Sequence, residues 1–159
     1  MIEDDVSEAG ENEFPALTDV QEAMVASALV RNPASQVLSE GFKLQLTRAD
    51  FYTLSGLNWL NDEVSTKQNQ HSSCSLITLH FFLLLQQIIN FYMNMLMDRG
   101  QREGNASVHA FNTFFYPKLM SNGHSGVKRW TKRGNIDIFA KDFVLIPVHL
   151  GMHWCLAVS

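Results

Sequence analysis

The chain has 159 residues, 46% of them apolar and 18% charged, which suits one globular domain with a buried core and excludes a chain disordered throughout. Its formal net charge is −4, but Glu3, Asp4, Asp5, Glu8, Glu11 and Glu13 stand in the first thirteen residues without a base; the remainder carries ten acids against twelve bases. Residues 1–13 therefore read as a solvated acidic tail on a mildly basic body. Two cysteines, Cys74 and Cys155, give no disulfide framework, and with the acidic start they point to a reducing, intracellular compartment. The longest uncharged apolar run, "LITLHFFLLL", is about half the length a membrane span needs, and the sequon Asn105-Ala106-Ser107 is then a chance match.

After the tail, Thr18 or Asp19 caps a first helix over about 20–30. Val20, Met24, Ala28 and Leu29 fall at helical spacing, and Asn32-Pro33 ends the pattern. "GFKLQLTRADFYTL" alternates Phe42, Leu44 and Leu46 against polar neighbours, the pattern of a half-buried strand, with a turn or helix start at Thr47 to Asp50. Ile88, Ile89, Phe91, Tyr92, Met95 and Leu96 form a wide stripe closed by Arg99-Gly100, which predicts a buried helix over 88–97. "SVHAFNTFFYPKL" reads as a helix or a short extended run, and Gly123 and Gly126 place a loop before "VKRWTK". Two strand-like runs, "FVLIPVHL" and "HWCLAVS", finish the chain around Gly151.

One helix start is out of place. Asn61, Asp62 and Glu63 make a cap and an acidic first turn, yet the apolar stripe begins only at Ile88, 24 residues further on. Residues 64–87 read either as a surface loop or as a retained intron translated in frame. Val64-Ser65 can be written GTAAGT, and "HFFLLLQQ" can be written as a pyrimidine tract ending in CAG. On the second reading codon 64 begins GT and codon 87 ends AG, and removal of the 24 codons joins the cap to its stripe as "WLNDEIINFYMNML".

"IPVHLGMHWCLAVS" carries the chemistry-bearing side chains. Pro147 and Gly151 argue against a helix that would bring His149 and His153 to one zinc ion, so no metal site is expected. In a strand, His153, Cys155 and Ala157 share one face, and residues two apart have Cα atoms about 6.5–7 Å apart with parallel side chains. A thiolate–imidazole pair between Cys155 and His153 is therefore disfavoured, and His153 taken alone remains open between a structural and a catalytic role.

With residues 64–87 set aside, the blocks "VLSEGFKLQLTRADFYTL", "LNWLNDE" joined to "IINFYMNML", "VHAFNTFFYPKL", "VKRWTK" and "IPVHLGMHWCLAV" resemble the catalytic domain of the Ulp/SENP (sentrin-specific) SUMO proteases, from Phe14 to Val158. The resemblance implies a papain-like α+β fold, here its N-terminal part, interrupted by 64–87 within a domain over 14–159. It implies a Cys-His-Asp thiol protease that matures SUMO precursors and removes SUMO from lysine side chains. It needs no cofactor, acts on SUMO and SUMO-conjugated proteins, and works in the nucleus. His153 is then the catalytic histidine. Trp59 and Trp154 become the indoles over the substrate's Gly-Gly tail, a slot that admits only residues without side chains. Asp62, Phe114, Arg129, His149 and Met152 hold SUMO or line the slot, with Met152 where valine is commoner. The family's triad aspartate, oxyanion-hole glutamine and nucleophilic cysteine follow the His-Trp strand and are not among these residues. An isolated chain is therefore expected to be inactive and poorly soluble, with an unpaired apolar edge at Phe143 to Val158. The alternative is a non-catalytic SUMO-binding fragment; nucleic-acid binding through "KRWTKR" rests on six residues alone.

Overall fold

The computed structural model describes residues 16–55, 73–132, 134–151 and 153–159, with the backbone alone over 73–82. The acidic tail, residues 64–72 of the suspected insertion, and Trp59, Asp62, Arg133 and Met152 lie outside the described residues.

Helix α1 (Asp19–Ala28) starts at a reciprocal cap: the Thr18 N–H donates to Gln21 Oε1 at 2.9 Å, and the Gln21 N–H donates to Thr18 Oγ1 at 3.3 Å. Of its helically spaced apolar residues, Ala28 and Leu29 are half-buried while Val20 and Met24 stay 70% and 67% exposed. The chain then forms an antiparallel hairpin, β1 (Val37–Gly41) and β2 (Leu44–Thr47). Phe42 is not a strand residue, as its alternation with Leu44 and Leu46 suggests, but the first residue of the turn. Phe42 and Lys43 both hold positive φ, 55° and 63°, the geometry that a two-residue hairpin turn requires and that glycine or asparagine usually supplies. The Phe42 ring, still 44% exposed, meets Phe91 edge-on with centroids 5.4 Å apart, and that contact offsets part of the backbone strain.

Short helix α2 (Arg48–Tyr52) follows directly, with Asp50 Oδ2 accepting from the Thr47 N–H and hydroxyl, both at 2.6 Å. The buried Arg48 guanidinium ties this region to α1. It donates to the Ser27 and Val30 carbonyls and, from Nε and Nη2, to Gln36 Oε1 at 3.1 and 2.9 Å. A buried cation is tolerated where its donors find acceptors, and four of the five N–H groups here do.

Helix α3 runs over Ser73–Arg99. It begins fifteen residues before Ile88, so about 22 Å of helix precedes the apolar stripe. The expected stripe is narrower than its sequence spacing suggests. Phe91 and Met93 are buried and Ile89, Leu96 and Met97 pack beside them, whereas Tyr92 and Met95 face outward. Gly100 closes the helix because nothing larger fits: a Cβ there would lie 2.9 Å from the Ala106 carbonyl oxygen and 2.9 Å from the Val108 amide nitrogen.

The second sheet has the order β3 (Val108–Ala110), β4 (Phe143–His149), β5 (Trp154–Val158), with β3 parallel and β5 antiparallel to β4. Between β3 and β4 come α4 (Phe115–Val127), α5 (Arg129–Lys132) and a 3₁₀ turn, Ile138–Ala140. The expected loop at Gly123 and Gly126 is instead a break within α4, where Gly123 leaves helical geometry at φ 59° and ψ −165°. Asp142 locks the start of β4 to β3, its Oδ2 accepting from the Ser107 N–H and hydroxyl, each at 2.7 Å.

Strand β4 is covered on both faces, which accounts for its nearly continuous apolar sequence. Leu145 packs with Met93 and Ala110 against α3, while Val144 and Ile146 pack against Phe111, Phe115 and Val127 on the other side. Pro147 lies within β4 opposite Leu156. The open edge is narrower than expected: β4 is central, and the edge belongs to β5, where Leu156 and Val158 are exposed.

Candidate functional site

The last hairpin gathers the titratable and aromatic side chains singled out in the sequence. His149 ends β4 and stands in register with Trp154 at the start of β5. Their rings lie 4.8 Å apart, centroid to centroid, tilted by 47°. The connection is tight: the Leu150 N–H donates to the His153 carbonyl at 2.9 Å, and Gly151 holds φ 92° with open space around its Cα, so that glycine serves backbone conformation. His153 sits at the end of this turn and is exposed. Cys155 is half-buried in β5 opposite Val148, and His153 precedes the strand and so does not share a strand face with it.

Phe114 reaches the same end of the molecule by a different route. Because β3 and β4 are parallel, the segments leaving their carboxyl ends, Phe111 to Phe114 and His149 to His153, emerge at one end of the sheet. Phe114 immediately precedes α4 and is 57% exposed between the buried Phe111 and Phe115, which stack on each other at 3.8 Å. Arg129 is exposed at the start of α5, beside Trp130, which packs edge-on against Phe115 at 5.4 Å. The hairpin thus brings His149, His153 and Trp154 together, with Phe114 at the same sheet end and Arg129 on a separate helix. Trp59, Asp62 and Met152 belong to segments outside the described residues. Among the described residues no group of three or more His, Cys, Asp or Glu gathers to hold a metal ion, and no helix is long and apolar enough to cross a membrane.

Two residues near Phe114 carry no motif in the sequence. Asn90 on α3 and Thr113 bond reciprocally: Asn90 Nδ2 donates to Thr113 Oγ1 at 3.1 Å, and the Thr113 N–H donates to Asn90 Oδ1 at 2.9 Å. The available signal is a polar residue set inside the apolar stripe "IINFYMNML".

Burial pushes the His149 imidazole below its ordinary value of 6.5, and burial followed by the charge of Lys141 does the same to His109. Hydrogen bonds from Ser107 hold the Asp142 carboxyl below 3.8. The sign follows. Below 6.5 the unfolded histidines take up protons that the folded ones refuse, so their contribution is present above that pH and is lost as pH falls. Asp142 adds to the loss at lower pH, where its folded form also protonates. The urea midpoint is expected to drop between about pH 7 and about pH 5, with a shallower drop in a His109→Asn/His149→Asn variant; equal slopes would assign the acid sensitivity elsewhere.

The α+β architecture is that of a known class of catalytic domain. Residues 82–158 match the Ulp1 protease family, C-terminal catalytic domain. The SUMO protease Ulp1 with its catalytic cysteine oxidised to a sulfenic acid superposes with a TM-score of 0.61 at 27% identity, over 91% of this chain and 52% of that one. The C-terminal Ulp1 protease domain in complex with Smt3, the yeast ortholog of SUMO, does so with a TM-score of 0.60 at 26% identity, over 93% and 54%. Sentrin-specific protease 2 of Mus musculus is 40% identical over 141 residues, 89% of this chain and 20% of the relative. A sentrin-specific protease of Caenorhabditis elegans is 40% identical over 148 residues, 92% and 18%. Residues 82–158 therefore belong to the catalytic domain of the Ulp1 protease family. The chain spans about a fifth of the length of these curated relatives.

Proposed function

We propose that these residues form the SUMO-engaging part of a SUMO-specific cysteine protease catalytic domain, with His153 as the general base and Trp154 as one wall of the slot for the Gly-Gly tail. The observation that carries the reading is the end of the β4–β5 hairpin, where the exposed His153 directly precedes Trp154, whose indole lies against His149, in a chain whose fold matches an Ulp1 domain solved with Smt3 bound. A base at this position takes the proton of a thiol and the thiolate attacks the carbonyl carbon of the terminal glycine; the C–N bond then breaks as the imidazolium returns the proton to the leaving amine, and water hydrolyses the thioester. Phe114, His149 and Arg129, with Trp59, Asp62 and Met152, would contact SUMO. The substrates would be SUMO precursors and SUMO-conjugated proteins, and the setting the nucleus. Residues 64–87 would be a retained intron carried inside the domain.

A second reading has an observation in its favour. Cys155 sits in β5 opposite Val148 and follows His153 by two residues along the chain, a placement that keeps its sulfur from pairing with the imidazole. On that ground the 159-residue polypeptide by itself would bind SUMO without cleaving it. Titration with SUMO carrying its Gly-Gly tail tests the binding. Arg129→Glu is expected to weaken affinity by about tenfold or more, an effect shrinking as salt screens the charge. Affinity indifferent both to Arg129→Glu and to removal of the Gly-Gly tail would overturn the proposal.

A further inference from the structure

Phe114 is held in place with more care than an exposed side chain needs for folding. Its own amide donates to Asn112 Oδ1 at 3.0 Å, and the Phe115 amide donates to the Asn112 carbonyl at 3.1 Å, so a side-chain turn is superposed on a backbone turn. On one side of it Thr113 is 1% exposed and fastened by the two bonds to Asn90. On the other, Phe115 is fixed in the aromatic core by the Phe111 and Trp130 rings. Asn90 is itself anchored, since it lies on α3 and its carbonyl accepts from Asn94 Nδ2 at 2.7 Å.

The chemistry of this clamp is particular to an amide. A carboxamide offers a donor and an acceptor at fixed separation, so one rigid group can satisfy the buried Thr113 N–H and hold its hydroxyl together. An aliphatic residue at position 90 would leave that N–H without its acceptor in a dry place. Burial of Phe114 supplies no reason for the arrangement, because its ring is mostly in water. A fixed backbone that presents an aromatic side chain outward is instead what a binding surface requires, since a segment already held in place loses less freedom when the partner arrives.

We infer that Asn90 is a positioning residue for substrate: through Thr113 it fixes the backbone that presents Phe114, and so sets affinity for SUMO without touching it. The inference rests on the proposed SUMO-engaging function, and the experiment separates the two. Affinity for SUMO is measured by calorimetry with the 159-residue chain as wild type, Phe114→Ala, Asn90→Ala, the double variant and Asn90→Asp. Phe114→Ala and Asn90→Ala are each expected to weaken binding about tenfold, and the double variant to be no weaker than Phe114→Ala alone within about twofold. Asn90→Asp keeps an acceptor for the Thr113 N–H and lets the Thr113 hydroxyl donate, so it retains affinity within about threefold of wild type.

Losses that multiply in the double variant, or an Asn90→Ala protein that binds like wild type while Phe114→Ala does not, overturn the inference. So does a Phe114→Ala protein of wild-type affinity. If the wild-type chain fails to bind SUMO, the functional reading falls, and amide exchange on the free chain decides the clamp. Asn90→Ala then speeds exchange at Thr113 and Phe114 by about tenfold or more while Leu145 stays protected. Unchanged exchange at those two amides overturns the clamp as well.

Discussion

On the proposed protease reading, His153→Ala in protein that cleaves a SUMO precursor is expected to slow that cleavage by on the order of a thousandfold or more. Affinity for uncleaved SUMO should change by less than about threefold, because the imidazole acts on the reacting atoms and adds little to ground-state binding. The prediction depends on the hairpin connection. The Leu150-to-His153 hydrogen bond and the left-handed Gly151 fix where His153 leaves the strand, with Trp154 immediately behind it and held against His149. Cys155→Ser is the companion measurement. Cys155 faces Val148 within the sheet, so its replacement should leave the rate within about threefold of wild type. A His153→Ala protein that keeps more than about a tenth of the rate would remove His153 from the base role, and a Cys155→Ser protein that loses activity would move the nucleophile into β5.

The largest expected effect on stability falls at Phe115. Its ring is 9% exposed, stacks on Phe111 at 3.8 Å and an interplanar angle of 23°, and receives the edge of Trp130 at 5.4 Å. The same cluster takes in Val127 from the end of α4 and Val144 and Ile146 from β4. Phe115→Ala therefore removes the piece through which α4, α5 and the sheet are joined, and the expected cost is about 3–5 kcal/mol. That is a large share of the roughly 5–15 kcal/mol by which a domain is usually stable. Urea unfolding followed by tryptophan fluorescence measures it, since the Trp130 environment changes directly. A loss below about 1.5 kcal/mol would mean that the surrounding rings close over the gap.

The parts of the fold legible in the sequence are those where local chemistry and tertiary packing agree. The cap at Thr18, the closure at Gly100 and the two terminal strands around Gly151 all follow from residue types that have one physical use in their positions. Phe42 was hidden because a phenylalanine at positive φ contradicts turn propensity, and it is held there by Phe91, a residue forty-nine places away. The break in α4 at Gly123 reads as a loop because glycine disfavours helix on both sides, yet the helix resumes and delivers Val127 to the core. At the candidate site, the strand that begins at Trp154 and the turn before it at His153 were legible as local structure, but the placement of Phe114 was not. It depends on the parallel pairing of β3 with β4 and on an asparagine in a different helix, neither of which has a local signal.

Pro147 decides why that stretch needs so many side-chain fastenings. The Val144 and Ser159 backbones bond each other, at 2.8 and 3.0 Å, and the Leu150 N–H reaches the His153 carbonyl; by alternation the amides of 145, 147 and 149 therefore point away from β5 and toward β3. On that side the Phe111 N–H donates to the Leu145 carbonyl at 2.9 Å, and the next rung would run from the nitrogen of residue 147 back to Phe111. An imino acid has no hydrogen to give it. The ring at 147 leaves the β5 partnership whole while vetoing any lengthening of the parallel zip, so the polypeptide must peel off after Phe111, and from there carboxamides take over the anchoring that a ladder would otherwise have supplied.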